Sequence, residues 1–269
     1  MASHTERNAS RKAFRKPGGI PGPAGFKPRR EAVSDDWLWG FHPVVAALDN
    51  PKRPAPIRLM ATNDRAKELE KRFGLLPILE VVEGQAISQI LPQGAVHQGL
   101  ALRILEPEAL ALEDFEPVRG AVLLMLDQVT DPQNVGAILR SAAAFGAIGV
   151  ILQDRHAPKL SGALAKAAAG AVDKIPTVRV INLSRAIEAL SEAGWRTVGL
   201  AGSGERNLDQ ALDGGAVVLV LGSEGEGLRR LVAEHCDELA KIPMPGGFES
   251  LNVGAAAAVA LYEAARFRA

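Results

Sequence analysis

The sequence predicts an α/β protein in which a mostly parallel sheet is covered by helices on both faces. Three observations lead to this prediction. From residue 121 onward, short apolar segments alternate with amphipathic helical segments, and this alternation is typical of βαβ units. The apolar segments are nearly continuous, as in strands that are buried on both faces. Polar or glycine-rich loops follow several of these segments, at the edge where parallel sheets bind their ligands.

Composition and length set the limits of this prediction. The chain has 269 residues, of which 47% are hydrophobic, enough for two modest domains with their own cores. No apolar run approaches the roughly 20 residues that a membrane span requires. The single cysteine, Cys236, excludes an intrachain disulfide and fits a reducing compartment, so we expect a cytoplasmic protein. One cysteine and five scattered histidines predict no metal site.

A basic segment precedes an acidic body. Residues 1–30 contain eight Lys or Arg and one acid, which leaves 23 basic and 30 acidic residues, a net charge of −7, for the remainder. Gly and Pro are dense over residues 1–36, which predicts a disordered tail rather than the amphipathic helix of an organelle transit peptide. We expect this tail to contact a polyanion, most simply RNA. The candidate RNA-binding residues are Arg11, Lys12, Arg15, Lys16, Arg29 and Arg30.

Residues 37–105 predict a small α/β domain. Its expected helices and strands follow from changes in hydrophobic periodicity. The helices are 42–48, 64–73 and 86–91, and the strands are 57–61, 78–82 and 99–105. Nothing in this region forms a catalytic set, since one histidine before a strand (His97) is typical of a structural role. Acids and prolines over residues 106–119 predict a linker to the next domain.

Residues 120–269 predict the larger domain. Its expected strands are 122–126, 149–153, 177–180, 197–201 and 217–221, and its expected helices are 135–145, 160–171, 184–193, 228–235 and 251–266. The first loop follows residue 126 and enters a helix through Asp131-Pro132, where exposed N–H groups need a cap or a ligand. Asn134 lies at this entry, and Arg140 is expected to lean back over Gly136. A capped helix with a solvent-facing arginine explains the same residues.

Two further loops carry candidate ligand contacts. The loop 221–227 is rich in glycine, but it contains Glu224 and Glu226 and no following lysine, so it would repel a polyphosphate. A ligand without phosphates that is held by backbone groups fits better. In the loop 242–254, Ser250 or Asn252 is expected to meet the start of the last helix. Taken singly, each loop is also explained as a tight turn or a stiff helix entry.

Taken together, the three loops resemble the sequence motifs of one known enzyme family. The patterns N-x-G-x-x-x-R at 134–140, L-G-S-E-G-x-G at 221–227 and I-P-M-x-G…S-L-N-V at 242–253 resemble the motifs of SpoU-type (TrmH-like) RNA ribose 2′-O-methyltransferases. The resemblance covers residues 121–266. The segments 39–48 and 97–99 resemble the N-terminal RNA-binding module of the rRNA branch, whose best-known members methylate a guanosine ribose in large-subunit rRNA.

This resemblance implies a trefoil-knotted (SPOUT-type) domain that binds S-adenosylmethionine, acts on RNA and forms a homodimer. By motif position, the cofactor would be bound through the main chain of Gly222, Ile242 and Leu251, with Ala201 and Gly202 nearby. The residues implied in catalysis are Arg140, Asn134, Glu224, Ser250 and Asn252. Arg140 would hold a phosphate or stabilise the developing alkoxide, because guanidinium stays protonated in proteins. Gly254 departs from the family pattern, which commonly has serine there.

Two alternatives to an rRNA guanosine methyltransferase remain. One is a methyltransferase that acts on tRNA or on an rRNA adenosine, since the N-terminal module favours rRNA without identifying the nucleotide. The other is a catalytically silent RNA-binding factor of ribosome assembly that retains the fold. The presence of Arg140, Asn134, Glu224 and Asn252 argues against the silent factor.

Overall fold

A computed structural model describes residues 36–267, which form two sheets with their covering helices. The expected tail at residues 1–36, apart from Asp36, and the six basic residues assigned to RNA binding lie outside the described residues. In the chain from 36 to 267, no helix combines the length and the apolar character that a membrane crossing requires.

The small sheet comes first in the chain. Its elements are β1 (Trp37–Trp39), α1 (Phe41–Asp49), β2 (Arg58–Ala61), α2 (Asn63–Phe73), β3 (Leu79–Val81), α3 (Gly84–Ile90) and β4 (Leu100–Arg103). The strand order is β1-β4-β2-β3, in which β4 runs antiparallel to both neighbours and β2 pairs parallel with β3. The short strand β1 is absent from the sequence prediction, because three residues give too little alternation to identify a strand.

The large sheet contains seven strands. Its elements are β5 (Val122–Leu126), α4 (Pro132–Ala144), β6 (Gly149–Gln153), α5 (Gly162–Ala168), β7 (Thr177–Val180), α6 (Leu183–Glu192), β8 (Arg196–Leu200), β9 (Arg206–Asn207), α7 (Leu208–Ala211), β10 (Val217–Leu221), α8 (Arg230–His235), β11 (Glu238–Lys241) and α9 (Val253–Arg266). The strand order is β7-β6-β5-β10-β8-β11-β9, and every pairing between these strands is parallel. The prediction of a mostly parallel α/β sheet is confirmed.

The strand β5 shows how both faces of the large sheet are buried. Its residues alternate between two apolar clusters, because successive side chains in a strand point to opposite faces. Val122, Leu124 and Leu126 join the cluster that contains the apolar side of α4. Leu123 and Met125 join the cluster that contains the apolar side of α6. A strand covered on both faces has no polar side, which explains its continuous apolar sequence.

The two sheets share one core and a buried ion pair. Residues of the small sheet and of the large sheet belong to the same apolar cluster. Arg53, which follows α1, donates from Nε to Asp173 Oδ1 at 2.7 Å, and each side chain is 2% exposed. Asn50 Nδ2 donates to the same carboxylate at 3.0 Å. A buried charge that lost its partner would be costly, so this pair fixes how the two sheets meet.

The side chain of Lys166 forms a second connection between the sheets. From α5, its Nζ donates to Gln98 Oε1 at 2.8 Å, and the same oxygen accepts the N–H of Phe41 at 3.1 Å. Gly40 leaves room for this lysine, because a Cβ there would lie 2.4 Å from Nζ. The segments 39–42, 97–99 and 166–170 therefore meet where the two sheets join.

His97 has a structural role in this region. Its Nδ1 accepts the N–H of Gly99 at 3.0 Å, and its Nε2 lies 3.1 Å from Ser88 Oγ. Burial lowers the pKa of His97, which favours the neutral ring that these contacts require.

Candidate functional site

The three loops of interest meet because parallel strands end at the same edge of the sheet. The strand β10 lies between β5 and β8, and β8 pairs in turn with β11. The loops that follow these four strands therefore start side by side. At the first boundary the N–H of Asp127 donates to the carbonyl of Leu221 at 2.8 Å. This edge is where ligands bind in open α/β sheets.

The helix α4 begins at the first of these loops. Asp131 is its N-cap, and its carboxylate accepts the N–H of Gln133 at 3.1 Å. Pro132 occupies the first helical position, where its missing N–H has no intrahelical partner to lose. Asn134 follows in the first turn and is half-buried. The predicted break at Asp131-Pro132 is confirmed, but the helix begins at Pro132 rather than at Val135, and Asp131 caps it. Asn134 lies inside the first turn, where its amide contacts the second loop.

Asn134, Glu224 and Asn252 form one hydrogen-bonded cluster from three separate loops. Asn134 Nδ2 donates to Glu224 Oε1 at 3.0 Å, and Asn252 Nδ2 donates to Asn134 Oδ1 at 2.9 Å. Asn252 Nδ2 also donates to Glu224 Oε1. The N–H of Val253 reaches the same carboxylate oxygen at 3.3 Å. Hydrogen bonds to a carboxylate are stronger than neutral ones, so Glu224 holds the three loops together.

Asn252 has a second function at the start of the last helix. Its Oδ1 accepts the N–H groups of Gly254 at 3.0 Å and Ala255 at 3.2 Å, which makes it the N-cap of α9. Of the two candidates for this role, the structure selects Asn252. Ser250 is exposed instead, on the wall of the neighbouring cavity.

A cavity of about 390 Å³ lies between the loops that follow β8, β10 and β11. All five residues predicted to contact a cofactor line it: Ala201, Gly202, Gly222, Ile242 and Leu251. Among the described residues of its wall, the charged side chains are Glu224, Glu226 and Glu249, with no Lys or Arg. Such a wall favours a cationic ligand and opposes a phosphate.

Gly222 is required by the shape of the second loop. A Cβ at this position would lie 2.0 Å from the carbonyl carbon of Gly227 and 2.3 Å from the nitrogen of Leu228. The loop folds back on itself, with Ser223 and Gly227 exchanging backbone hydrogen bonds at 3.2 and 3.0 Å. This turn presents the carboxylate of Glu224 to Asn134 on one side and the loop backbone to the cavity on the other.

Arg140 does not take the position that the sequence predicted. Gly136 faces α5, and a Cβ there would lie 2.6 Å from Ala167 Cβ and 2.7 Å from the carbonyl of Leu164. The expectation that the guanidinium covers Gly136 is therefore wrong, because α5 fills that space. Arg140 is exposed, and within residues 36–267 it forms no side-chain hydrogen bond or ion pair. Its guanidinium remains available to a ligand.

Gly254, the position that departs from the family pattern, is buried where α9 meets α4. A Cβ there would lie 3.1 Å from Asn252 Oδ1 and 3.4 Å from Ala137 Cβ. A larger side chain would therefore press on the cap of α9. Glycine relieves this crowding at some expense in helix stability.

Sequence reasoning missed the pair formed by Asp127 and Arg229. The Asp127 carboxylate is fully buried and accepts the Nε of Arg229 at 2.7 Å and its backbone N–H at 2.9 Å. The pair ties the end of the loop 222–229 to the end of β5. A carboxylate directly after an apolar strand was the available signal, since buried charges are normally paired. Its partner lies 102 residues away, and no local pattern identifies it.

The chain is similar to characterised RNA methyltransferases. The profile of the SpoU rRNA Methylase family matches residues 121–262. The 23S rRNA (guanosine-2'-O-)-methyltransferase RlmB of Escherichia coli (strain K12) is 38% identical over 246 residues, covering 87% of this chain and 99% of that protein. RlmB of Xanthomonas campestris pv. campestris is 40% identical over 243 residues, covering 87% and 97%.

Solved structures that are similar to this chain are also methyltransferases. The SpoU methyltransferase AviRb from Streptomyces viridochromogenes, in complex with AdoMet, superposes with a TM-score of 0.73 at 26% identity, covering 86% of this chain and 89% of that one. An AdoMet-bound rRNA methyltransferase from Sinorhizobium meliloti superposes with a TM-score of 0.70 at 30% identity, covering 86% of both chains. Similarity thus extends over the small sheet as well as the large one.

Proposed function

Because this chain belongs to the SpoU rRNA methylase family, we propose that it transfers a methyl group from S-adenosylmethionine to the 2′-hydroxyl of a guanosine ribose in 23S-type rRNA. The observation that carries the proposal is the cluster of Asn134, Glu224 and Asn252 beside a cavity with an acidic, cation-free wall. The relatives that share this length of chain are 23S rRNA guanosine methyltransferases.

The cavity fits the proposed cofactor. S-adenosylmethionine carries positive charge on its sulfonium and amino groups and has no phosphate, which matches a wall with three carboxylates and no Lys or Arg. Gly222, Ile242 and Leu251 would contact it through the main chain, with Ala201 and Gly202 nearby. When bound, the cofactor supplies an electrophilic methyl group on sulfur. The structure offers no group of three or more metal-ligating side chains in the described region.

The protein's own part in the reaction is to position the ribose and assist loss of its proton. We assign Arg140 to a phosphate of the target nucleotide or to the alkoxide that develops at O2′, because its guanidinium is exposed and carries a permanent charge. Glu224 holds Asn134 and Asn252, and the three fix the loops that border the reacting atoms. Ser250, on the cavity wall, is positioned to orient the substrate. Orientation of this kind supplies a large share of a transfer rate.

The proposed active form is a homodimer. The helix α9 exposes Val259 and Tyr262, 41% and 55% of whose surfaces are accessible, on the same side as the partly buried Phe145. Apolar side chains in such a row are typical of an interface. Light scattering on the wild-type protein and on Tyr262→Glu tests this assignment. We expect a dimer for the wild type and dissociation for the variant, and a wild-type monomer at micromolar concentration would contradict it.

Further parts of the proposal follow from the family. The larger domain (120–269) is proposed to be trefoil-knotted, with residues 242–252 crossing from β11 to α9 past the loop after β10. The small domain (37–105) and the basic tail (1–36) are proposed to bind RNA, with 106–119 as the connection between domains. A cytoplasmic location follows from the proposed substrate.

The decisive experiment is methyl transfer from labelled S-adenosylmethionine to unmodified rRNA and tRNA, followed by mapping of the modified ribose. We expect one 2′-O-methyl group on a guanosine of large-subunit rRNA. Transfer to tRNA or to an adenosine would retain the chemistry and overturn the substrate. Cofactor binding without transfer to any RNA would instead support a silent assembly factor.

A further inference from the structure

A second cavity lies between the two sheets and has no assigned role. Its walls are the loop 92–96 between α3 and β4, residues 132–133 at the start of α4, and residues 158–159, 161–164 and 166, with Trp37 and Trp39 from β1. We name it the inter-sheet cleft. Its volume of about 650 Å³ lies in the roughly 300–1,000 Å³ range of sites that bury one small ligand. The cleft has room for a nucleotide or two and is too small for a double helix.

The charge of the inter-sheet cleft differs from that of the rest of the described chain. Its charged wall residues among residues 36–267 are Lys159 and Lys166, with no Asp or Glu. The chain beyond residue 30 carries a net charge of −7, so a cationic, acid-free wall stands out from an acidic surface. Lys166 Nζ donates to the neutral amide oxygen of Gln98 at 2.8 Å. That contact orients the charge without neutralising it, which favours an anionic ligand.

The position of the inter-sheet cleft connects it to the proposed active site. Pro132 and Gln133 belong to its wall, and the next residue, Asn134, hydrogen-bonds to Glu224. A chain-like ligand that occupies the active site can therefore continue into the cleft. The nearest acid in sequence, Asp131, lies outside the wall and is engaged in capping α4.

The walls of the cleft are also held at a fixed separation. Arg53 and Asp173 form their buried ion pair between the sheets, and Lys166 contacts Gln98 across the same boundary. A site that is already formed loses less conformational entropy when a ligand binds. The wall combines Lys159 and Lys166 with apolar surface from Pro92 and Val96. Trp37 and Trp39, 6% and 7% exposed, add only their accessible edges. This combination suits a base joined to a phosphate.

We propose that the inter-sheet cleft binds the unpaired RNA segment adjacent to the target ribose, with a base against its apolar wall and phosphates near Lys159 and Lys166. This inference rests on the proposed function and adds a substrate site to it. Proteins recognise RNA sequence mainly through unpaired, splayed bases. The cleft would therefore contribute to the choice of nucleotide, while the active site supplies the chemistry.

One test fills the cleft with a side chain. Ala163→Trp adds an indole from α5 to the cleft wall, and Ala189→Trp, at an exposed position of α6, is the matched control. Affinity for an unmodified 23S-type rRNA transcript is measured together with S-adenosylmethionine binding and methyl transfer. We expect Ala163→Trp to weaken RNA binding about tenfold and to lower kcat/KM, with cofactor affinity unchanged. Wild-type RNA affinity in Ala163→Trp would overturn the inference.

A second test removes one charge. For Lys159→Gln, the slope of log affinity against log salt concentration is expected to fall by about one, the change for one lost phosphate contact. Arg185→Gln, on the exposed surface of α6 and outside the small domain, is the control and should leave the slope unchanged. An unchanged slope for Lys159→Gln would argue against phosphate binding in the cleft.

The outcomes separate this inference from the proposed function. If both cleft variants bind RNA normally and the wild-type protein methylates rRNA, RNA binding in the inter-sheet cleft is refuted. The methyltransferase proposal then remains intact. A wild-type protein that transfers no methyl group to any RNA would overturn both.

Discussion

Replacing Gly222 with alanine is expected to weaken binding of S-adenosylmethionine by distorting the loop 222–227. A Cβ on Gly222 would lie 2.0 Å from the carbonyl carbon of Gly227, whereas real Cβ contacts essentially never fall below 3.0 Å. The atoms that must yield belong to the backbone, so the turn has to open by about 1 Å. Overpacking of this kind costs about 1–3 kcal/mol.

The strain acts on the wall of the cavity rather than on a direct side-chain contact. If the cofactor binds only when the loop has its wild-type shape, the strain of about 1–3 kcal/mol is subtracted from the free energy of binding. The affinity for S-adenosylmethionine then falls roughly five- to 150-fold. Isothermal titration calorimetry with S-adenosylmethionine measures the change. Thermal unfolding of the same sample establishes that the variant is folded.

Gly246→Ala is the matched control for this substitution. Gly246 lies in the loop between β11 and α9, and a Cβ there meets no heavy atom within 4 Å. Its φ lies outside the left-handed region, so alanine introduces neither a clash nor backbone strain. We expect wild-type affinity for this control. Wild-type affinity in Gly222→Ala as well would refute the assignment of this loop to the cofactor site.

Three further predictions concern single side chains. Arg140→Ala should abolish methyl transfer and leave S-adenosylmethionine affinity unchanged, as measured by single-turnover assay and calorimetry; retained turnover would remove Arg140 from the mechanism. Arg53→Met leaves the buried Asp173 carboxylate without its cation. Urea unfolding should therefore show a free energy of unfolding that is lower by about 3–5 kcal/mol. The exposed pair of Arg58 and Glu80 provides the control Arg58→Met, with an expected loss of about 1 kcal/mol or less, and equal losses would contradict the argument from burial. Burial, together with the nearby Asp237 and Asp127 carboxylates, raises the pKa of the Cys236 thiol to about 12, so the thiolate is on the order of one part in ten thousand at pH 8. Iodoacetamide should therefore label Cys236 only in unfolding concentrations of urea, and rapid labelling of the native protein would contradict this.

The regular elements of the large sheet were predictable because their pattern is local. The strands β5, β6 and β10 lie where continuous apolar runs predicted them, since a strand buried on both faces needs apolar side chains at nearly every position. The family resemblance is confirmed as well. The strand β11 (Glu238–Lys241) was missed, because its sequence ELAK has charged ends and no apolar run.

The contacts of the site were predictable only in part. Spacing identified Asn134, Glu224 and Asn252 as candidates, but their mutual hydrogen bonds depend on three loops that are distant in the chain. The sequence prediction placed Arg140 over Gly136 from helical spacing alone. This spacing contains no information about which neighbouring helix packs against Gly136. The close approach of α5 to Gly136 is a tertiary contact. The pairs of Asp127 with Arg229 and of Arg53 with Asp173 were missed for the same reason.

The side-chain amide of Asn252 makes two separate sets of hydrogen bonds. Its oxygen caps α9, and its nitrogen donates to Asn134 and Glu224. The last helix and the cluster around Glu224 are thus completed by the same side chain. Chains are synthesised from the N-terminus, so a nascent polypeptide that has not yet extended past residue 252 has Asn134 and Glu224 without their third partner. Under the proposed function, we therefore expect methyl transfer only after the last helix has docked.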